Sequence, residues 1–272
     1  MTSGKVSRKA RQTPTPPPKR TPTTGRARTA SPRVLAAAAA AFAAIVVAVV
    51  LGVVLSGGSD GGLGDLPATG SVEGSTLTGA GEIEELFAGI PQSGLTLGKP
   101  DAPVTLVEWL DLQCPACREF ETKAFPEIVE RWVRTGTLRV EMQPWAFIGD
   151  DSRRGRLATI AAGDQDRAFN FKALLYANQG AENAGWLDDE MIGRAAASIP
   201  GLKVQQLLDD RGSTEAEEAG AAVDARALAD DVTSTPTLFV GRTGEKGEPV
   251  QLTSLDDTTP IDEAIEAIVG ER

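Results

Sequence analysis

Apolar residues along this chain first form one unbroken block and then settle into short periodic segments. Residues 34–55 are a run of 22 uncharged, predominantly apolar positions. As a helix rising about 1.5 Å per residue this run reaches about 33 Å, enough to cross a bilayer. Further on, Val104-Thr105-Leu106-Val107-Glu108-Trp109-Leu110 is apolar on both faces apart from Thr105 and Glu108. That pattern predicts a central strand covered by helices on both sides. Pro115 suits the first position of a helix, where its missing N–H costs nothing. The helical pattern continues through Phe120 and Ala124, is interrupted or restarted at Pro126, and passes Ile128, Trp132 and Val133 to a stop at Gly136. Residues 138–142 alternate as the next strand and complete a βαβ unit.

An Ala-rich helical region then fills residues 152–231, with stops at Gly180, Pro200-Gly201 and Gly212. Thr214 and Glu217 are spaced as a capping box for its last helix. Strand periodicity returns at residues 237–240, followed by a Gly-rich turn and a second strand at 250–253, and residues 261–269 close as an amphipathic helix. The order is β-α-β, a helical insertion over about 151–231, then β-β-α, an α/β domain over residues 82–272.

Charge divides the chain at the apolar run. Residues 1–33 carry nine Lys or Arg, six prolines and no acid, which predicts a disordered basic arm. The first acid, Asp60, lies beyond the run. The positive-inside rule therefore puts the arm in the cytoplasm, residues 34–55 in the membrane as a single signal-anchor helix, and the rest outside. A cleaved secretory signal is the alternative, but its apolar core is typically only about 7–15 residues. Residues 56–81, rich in Gly, Ser and Thr, predict a flexible linker with a reach of about 25–30 Å. Within it, Leu66-Pro67-Ala68-Thr69-Gly70 has the letters of a sortase sorting signal, yet such signals sit C-terminally, so the match is taken as coincidence. The chain holds 27 cations and 38 acids, net −11. Without the nine cations of the arm, 18 stand against 38, an acidic exterior domain that disfavours nucleic acid.

Cys114 and Cys117 are the only cysteines, and there is no histidine. Ser-His-Asp and Cys-His nucleophile systems thus lack a base, and H-E-x-x-H metal hydrolysis lacks ligands. No phosphate-binding Gly-rich loop is present either. A Cys-x-x-Cys pair directly after a strand reads first as a redox motif. Half of a zinc site would need two carboxylates to complete it, and a structural disulfide closing so small a loop stabilises little. With Pro115 at the first helical position, Cys114 falls at the N-cap, where free backbone N–H groups and the helix dipole lower a thiol's pKa. Neither a metal nor a cofactor is expected beyond the cysteine pair itself. Trp109 and Trp145 read as core or groove residues.

The run 104–110 leading into Asp111-Leu112-Gln113-Cys114-Pro115-Ala116-Cys117, together with Ser234-Thr235-Pro236-Thr237-Leu238-Phe239-Val240, resembles the thioredoxin-fold disulfide oxidoreductases of the DsbA type, in the membrane-anchored form common among actinobacteria. The resemblance covers residues 82–272. It implies a thioredoxin fold with a helical insertion, Cys114 as the nucleophile that forms the mixed disulfide, and Cys117 as the resolving thiol behind it. It also implies that Thr235 and Pro236 form a cis-proline loop that pairs with substrate backbone. Glu108 coincides with the family's buried acid, and burial would suit it to relay a proton to Cys117. Ala116 departs from the histidine of the most strongly oxidising members, which predicts a less acidic Cys114 and leaves the direction of exchange open.

Three functions are therefore carried forward. The first is an extracytoplasmic thiol oxidase that introduces disulfides into unfolded exported proteins and is reoxidised by a quinone-linked membrane partner of the DsbB or VKOR type. The second is a membrane-anchored reductase or isomerase kept reduced by a membrane electron donor. The third is a binding scaffold with a redox-inert pair.

Overall fold

The computed structural model describes residues 65–270. In chain order the elements are α1 (Ala80–Phe87), β1 (Gln92–Ser93), β2 (Thr96–Leu97), β3 (Val104–Leu110), α2 (Pro115–Ile128), β4 (Leu138–Pro144), α3 (Asp150–Gly163), α4 (Ala168–Ala177), α5 (Asp189–Ala197), α6 (Val204–Asp210), α7 (Thr214–Ala229), β5 (Thr237–Arg242), β6 (Glu248–Val250) and α8 (Thr259–Gly270). The arm, the apolar run and linker residues 56–64 lie outside the described residues. Among the described residues no helix is long and apolar enough to cross a membrane.

All strands join one sheet in the order β1-β2-β4-β3-β5-β6. β3 runs parallel to β4 and antiparallel to β5. β3 is packed against helices on both faces and is buried along its whole length, which is why its apolar residues do not alternate. Val104, Leu106 and Leu110 pack with Phe120, Phe125 and Ile128 of α2 and with Ile261 and Ile265 of α8. On the opposite face Val107 and Trp109 pack with Val223 and Ala227 of α7. Each such large side chain contributes about 1.5–3 kcal/mol on burial. Between β4 and β5 the insertion supplies five helices, α3 to α7.

The structure departs from the sequence expectations at several points. α2 runs through Pro126 instead of restarting there. A proline inside a helix lacks the ladder N–H and crowds the preceding turn, and the ladder widens just after it into a π turn over Val129–Val133, with the Arg134 N–H donating to the Val129 carbonyl at 2.9 Å. The cap of α7 is Ser213, whose hydroxyl accepts from the Ala216 N–H at 3.1 Å; Thr214 is already helical. The last strand is Glu248–Val250 rather than 250–253, since pairing with Leu238, Phe239 and Val240 of β5 sets its register.

The largest difference concerns the linker. Residues 65–79 form a strap seated on the helical insertion. The Gly70 N–H donates to the Leu202 carbonyl at 2.8 Å, the Val204 N–H to the Ala68 carbonyl at 3.1 Å and the Ser71 N–H to the Ala197 carbonyl at 2.9 Å. Leu77, within the strap, is buried. A Cβ on Gly70 would stand 2.3 Å from the carbonyl oxygens of both Ala196 and Ile199. The close backbone approach thus depends on glycine having no side chain. The Gly, Ser and Thr content that suggested a free tether is here the composition of a tightly docked strand-like segment.

Candidate active site

β3 ends at Leu110, and the chain turns through Asp111, Leu112 and Gln113 into α2. This turn is fixed from several sides. The buried Asp111 carboxylate accepts from the Gln113 N–H at 2.9 Å, the Ser152 hydroxyl at 2.6 Å, and the Phe147 and Ile148 N–H groups at 3.0 and 3.1 Å. From α4, Tyr176 Oη donates to the Asp111 carbonyl at 2.9 Å. Gln179 Nε2, just beyond that helix, donates to the Leu112 carbonyl at 2.9 Å and the Cys114 carbonyl at 3.2 Å. The helical insertion therefore holds the backbone that leads into the cysteines.

Cys114 is the N-cap of α2 and Pro115 its first residue. Cys114 Sγ accepts from the Cys117 N–H at 3.4 Å and lies 3.5 Å from the Thr235 carbonyl oxygen. Both cysteines are free thiols and both are buried. The Cys114 thiol is lowered from its ordinary value of 9.0 to about 6. Hydrogen bonding from the Cys117 side chain is the main cause; burial opposes it, and Thr235 and the Cys117 and Ala116 backbones add to the lowering. Cys117 moves the opposite way. Burial, then its bond to Cys114, raises its thiol well above 9.0. No charged side chain at position 116 takes part.

The bond between Thr235 and Pro236 is cis. Thr237, the first residue of β5, pairs with Trp109 near the end of β3, so the antiparallel register itself delivers the Thr235-Pro236 loop to the cysteines. Strand pairing and helix capping thus bring Cys114, Pro115, Ala116, Cys117, Thr235 and Pro236 into one site.

The chain matches the model of a family described as thioredoxin over residues 92–255. The chain belongs to the thioredoxin family. Among curated relatives it is 31% identical over 159 residues to the probable disulfide bond formation protein D of Bacillus anthracis, covering 57% of this chain and 72% of that one. It is 29% identical over 149 residues to disulfide bond formation protein D of Bacillus subtilis, covering 53% and 66%. Among solved structures, oxidised BdbD from Bacillus subtilis superposes with a TM-score of 0.58 at 25% identity, over 66% of this chain and 96% of that one. Wolbachia pipientis α-DsbA1 shares the fold, with a TM-score of 0.55 at 18% identity over 65% and 91%. Within the thioredoxin family the chain is thus a DsbA-like thiol-disulfide oxidoreductase with a helical insertion.

Glu108 is fully buried, and it is also ion-paired. Lys172 of α4 donates to Glu108 Oε2 at 2.8 Å and to Glu121 Oε1 of α2 at 2.6 Å. The ammonium lies over the rings of Phe125 and Phe169, 4.0 and 4.8 Å from their centroids. Sequence reasoning passed over Glu121 and Lys172. Each had a signal: Glu121 follows Cys117 by four positions on the apolar side of α2, and Lys172 is the one cation inside Ala168-Phe169-Asn170-Phe171-Lys172-Ala173-Leu174-Leu175. Asp111 was likewise missed as the anchor of the turn. Trp109 is core, whereas Trp145 is half-buried and stacks at 4.4 Å on the exposed Phe147.

Proposed function

We propose that Cys114 and Cys117 are the exchanging pair and that the protein works as a thiol oxidase on unfolded exported proteins. The observation that carries this reading is the opposed behaviour of the two thiols at one helix start: Cys114 down to about 6, Cys117 raised. A stabilised Cys114 thiolate stabilises the reduced protein, and a pair whose reduced form is stabilised is the more oxidising. The lowering at Cys114 is in the direction an oxidase needs, even with alanine at position 116.

In the forward direction a client thiolate attacks Cys114 Sγ of the disulfide. The Sγ–Sγ bond breaks, a mixed disulfide forms on Cys114, and Cys117 leaves with the electron pair and takes up a proton. A second client thiolate then attacks the client sulfur, closing the client disulfide and expelling Cys114 as its stable thiolate. Thr235 and Pro236 line the approach to Cys114 and offer backbone to an extended client, while the exposed Phe147, whose N–H donates to Asp111 in the turn before Cys114, offers an apolar contact. Glu108 belongs to the buried group that exchanges the proton of Cys117. Two electrons then pass to a quinone-linked membrane partner of the DsbB or VKOR type, which regenerates the disulfide.

The proposal includes the setting: basic residues 1–33 in the cytoplasm, residues 34–55 as a single membrane anchor, and the catalytic domain outside, the membrane-anchored form known from actinobacteria. It rests on the apolar run and the distribution of Lys and Arg. Equilibration of the protein with glutathione buffers tests the direction. A reduction potential above about −200 mV is expected, and one near the thioredoxin level of about −270 mV contradicts the oxidase.

A further inference from the structure

Two glutamine side chains cross between the active-site turn and the helical insertion in opposite directions. Gln113, fully buried and next to Cys114 in the chain, reaches toward the segment that follows α4. Its Oε1 accepts from the Asn183 N–H at 2.8 Å, and its Nε2 donates to Asn183 Oδ1 at 3.3 Å and to Ser152 Oγ of α3 at 3.1 Å. Gln179, just beyond α4, reaches back. Its Nε2 donates to the Leu112 carbonyl at 2.9 Å and to the Cys114 carbonyl at 3.2 Å. Residues 112–114 and 179–183 are thus clasped together. Gly149 lets the clasp close, since a Cβ there would stand 2.5 Å from Asn183 Oδ1.

The two carbonyls that Gln179 serves belong to buried residues, where an acceptor without a donor is costly. They also lie on either side of the Cys114 N–H, which donates to the Asp111 carbonyl at 2.9 Å. Cys114 has the extended backbone of an N-cap, with φ −69° and ψ 119°. That ψ sets two things together: where the Cys114 carbonyl points, and where the start of α2 lies relative to Sγ. A turn that swings the carbonyl away from Gln179 also swings the Cys117 N–H away from Sγ, which it now reaches at 3.4 Å. Alanine at position 116 brings no charge to the thiolate. Hydrogen bonds from Cys117, Thr235 and the Ala116 backbone hold the Cys114 thiol at about 6 against burial, and such bonds need one backbone geometry.

We propose that Gln179 is a positioning residue for Cys114: by gripping the Leu112 and Cys114 carbonyls it holds Sγ against the Cys117 N–H, and so ties the reactivity of this thiol to the seating of the helical insertion. Gln179 touches no reacting atom and acts through the backbone alone. The assignment deepens the reading of Cys114 as the exchanging thiol and rests on it.

The pH midpoint of Cys114 alkylation by iodoacetamide, mapped by mass spectrometry in the reduced full-length protein, tests this. Gln179→Met keeps the length of the side chain and removes its N–H2, and should raise the midpoint by about one pH unit. With the thiolate less stable the reduced form loses ground, so the equilibrium with glutathione should shift about fivefold toward the oxidised protein at neutral pH. Gln179→Ala removes the same donors without bulk and decides the matter if Gln179→Met does not fold. Gln179→Lys brings N–H donors back and should return the midpoint to its native place in about 0.5 M salt, which screens the added charge. Gln165→Met is the control for general loosening of the insertion. Gln165 binds the Lys203 backbone at 2.8 and 3.2 Å, and its loss should leave the midpoint where it is. An unchanged midpoint in Gln179→Met or Gln179→Ala overturns the proposal, as does an equal rise in Gln179→Lys or Gln165→Met. These readings follow a thiol titration and not client oxidation, so a Cys114 that traps no client refutes the exchange reading while the midpoints still judge Gln179.

Discussion

The backbone N–H of Cys117 points at Cys114 Sγ across 3.4 Å, so the peptide that carries the second thiol stabilises the first as an anion. The same closeness has the reverse effect on Cys117, which is buried behind a sulfur that is already charged at neutral pH. The Cys117 side chain adds most to the lowering of Cys114 and burial most to the raising of Cys117, so the two thiols lie on opposite sides of their ordinary value.

Alkylation of the reduced protein by iodoacetamide should show this separation. Cys114 should react with a rate that rises through about pH 6, while native Cys117 should stay unmodified. In Cys117→Ala the rise should move to higher pH, because the Cys117 side chain is the largest contributor to the lowering. An unchanged midpoint in that variant would assign the lowering to the helix terminus alone.

Stability should follow the same titration. Cys114 is depressed from 9.0 to about 6, so between these values the unfolded chain binds a proton that the folded chain does not, and stability rises with pH. The contribution is complete above the unfolded value and is lost as pH falls through about 6. The raised Cys117 reverses the trend above 9.0. The Tm of the reduced protein minus that of the oxidised protein should therefore grow from about pH 6 to about pH 9, as followed by differential scanning calorimetry.

Asp111→Asn should destabilise the domain by about 3 kcal/mol. Its carboxylate accepts four hydrogen bonds that tie the 111–113 turn to α3 and to the segment after β4, and an amide presents an N–H2 to some of those donors. Urea denaturation gives the loss. The Cys114 alkylation profile should broaden along with it, since this turn positions the start of α2.

Gly70→Ala should free the strap without unfolding the domain. Its Cβ would meet two carbonyl oxygens at 2.3 Å, and residues 65–79 would leave the insertion. Limited proteolysis should then cut within this segment in the variant and spare it in the native protein, with little change in thiol exchange.

Most of the frame of the candidate site was legible from local chemistry. Val104–Leu110 appeared at its full length because a strand covered on both faces needs apolar residues on both. Pro115 marked the helix start because only the first turn tolerates a missing N–H, and Thr237 marked the start of β5. Contacts between distant segments were not legible. Nothing in the local pattern around Lys172 names two acids 64 and 51 positions away as its partners. The strap was misread because glycine signals freedom in isolation, whereas Gly70 is there to let two backbones touch. β6 shifted because cross-strand pairing, not its own alternation, sets its register.

Trapping on the Cys117→Ala protein tests the central claim most directly. Mixed at about pH 8 with an unfolded client whose one cysteine is held as an activated disulfide, its Cys114 thiolate should displace the activating thiol and form a long-lived mixed disulfide that mass spectrometry maps to Cys114. If no adduct accumulates on Cys114 while the native protein still oxidises the client, Cys114 is not the nucleophile and the account fails.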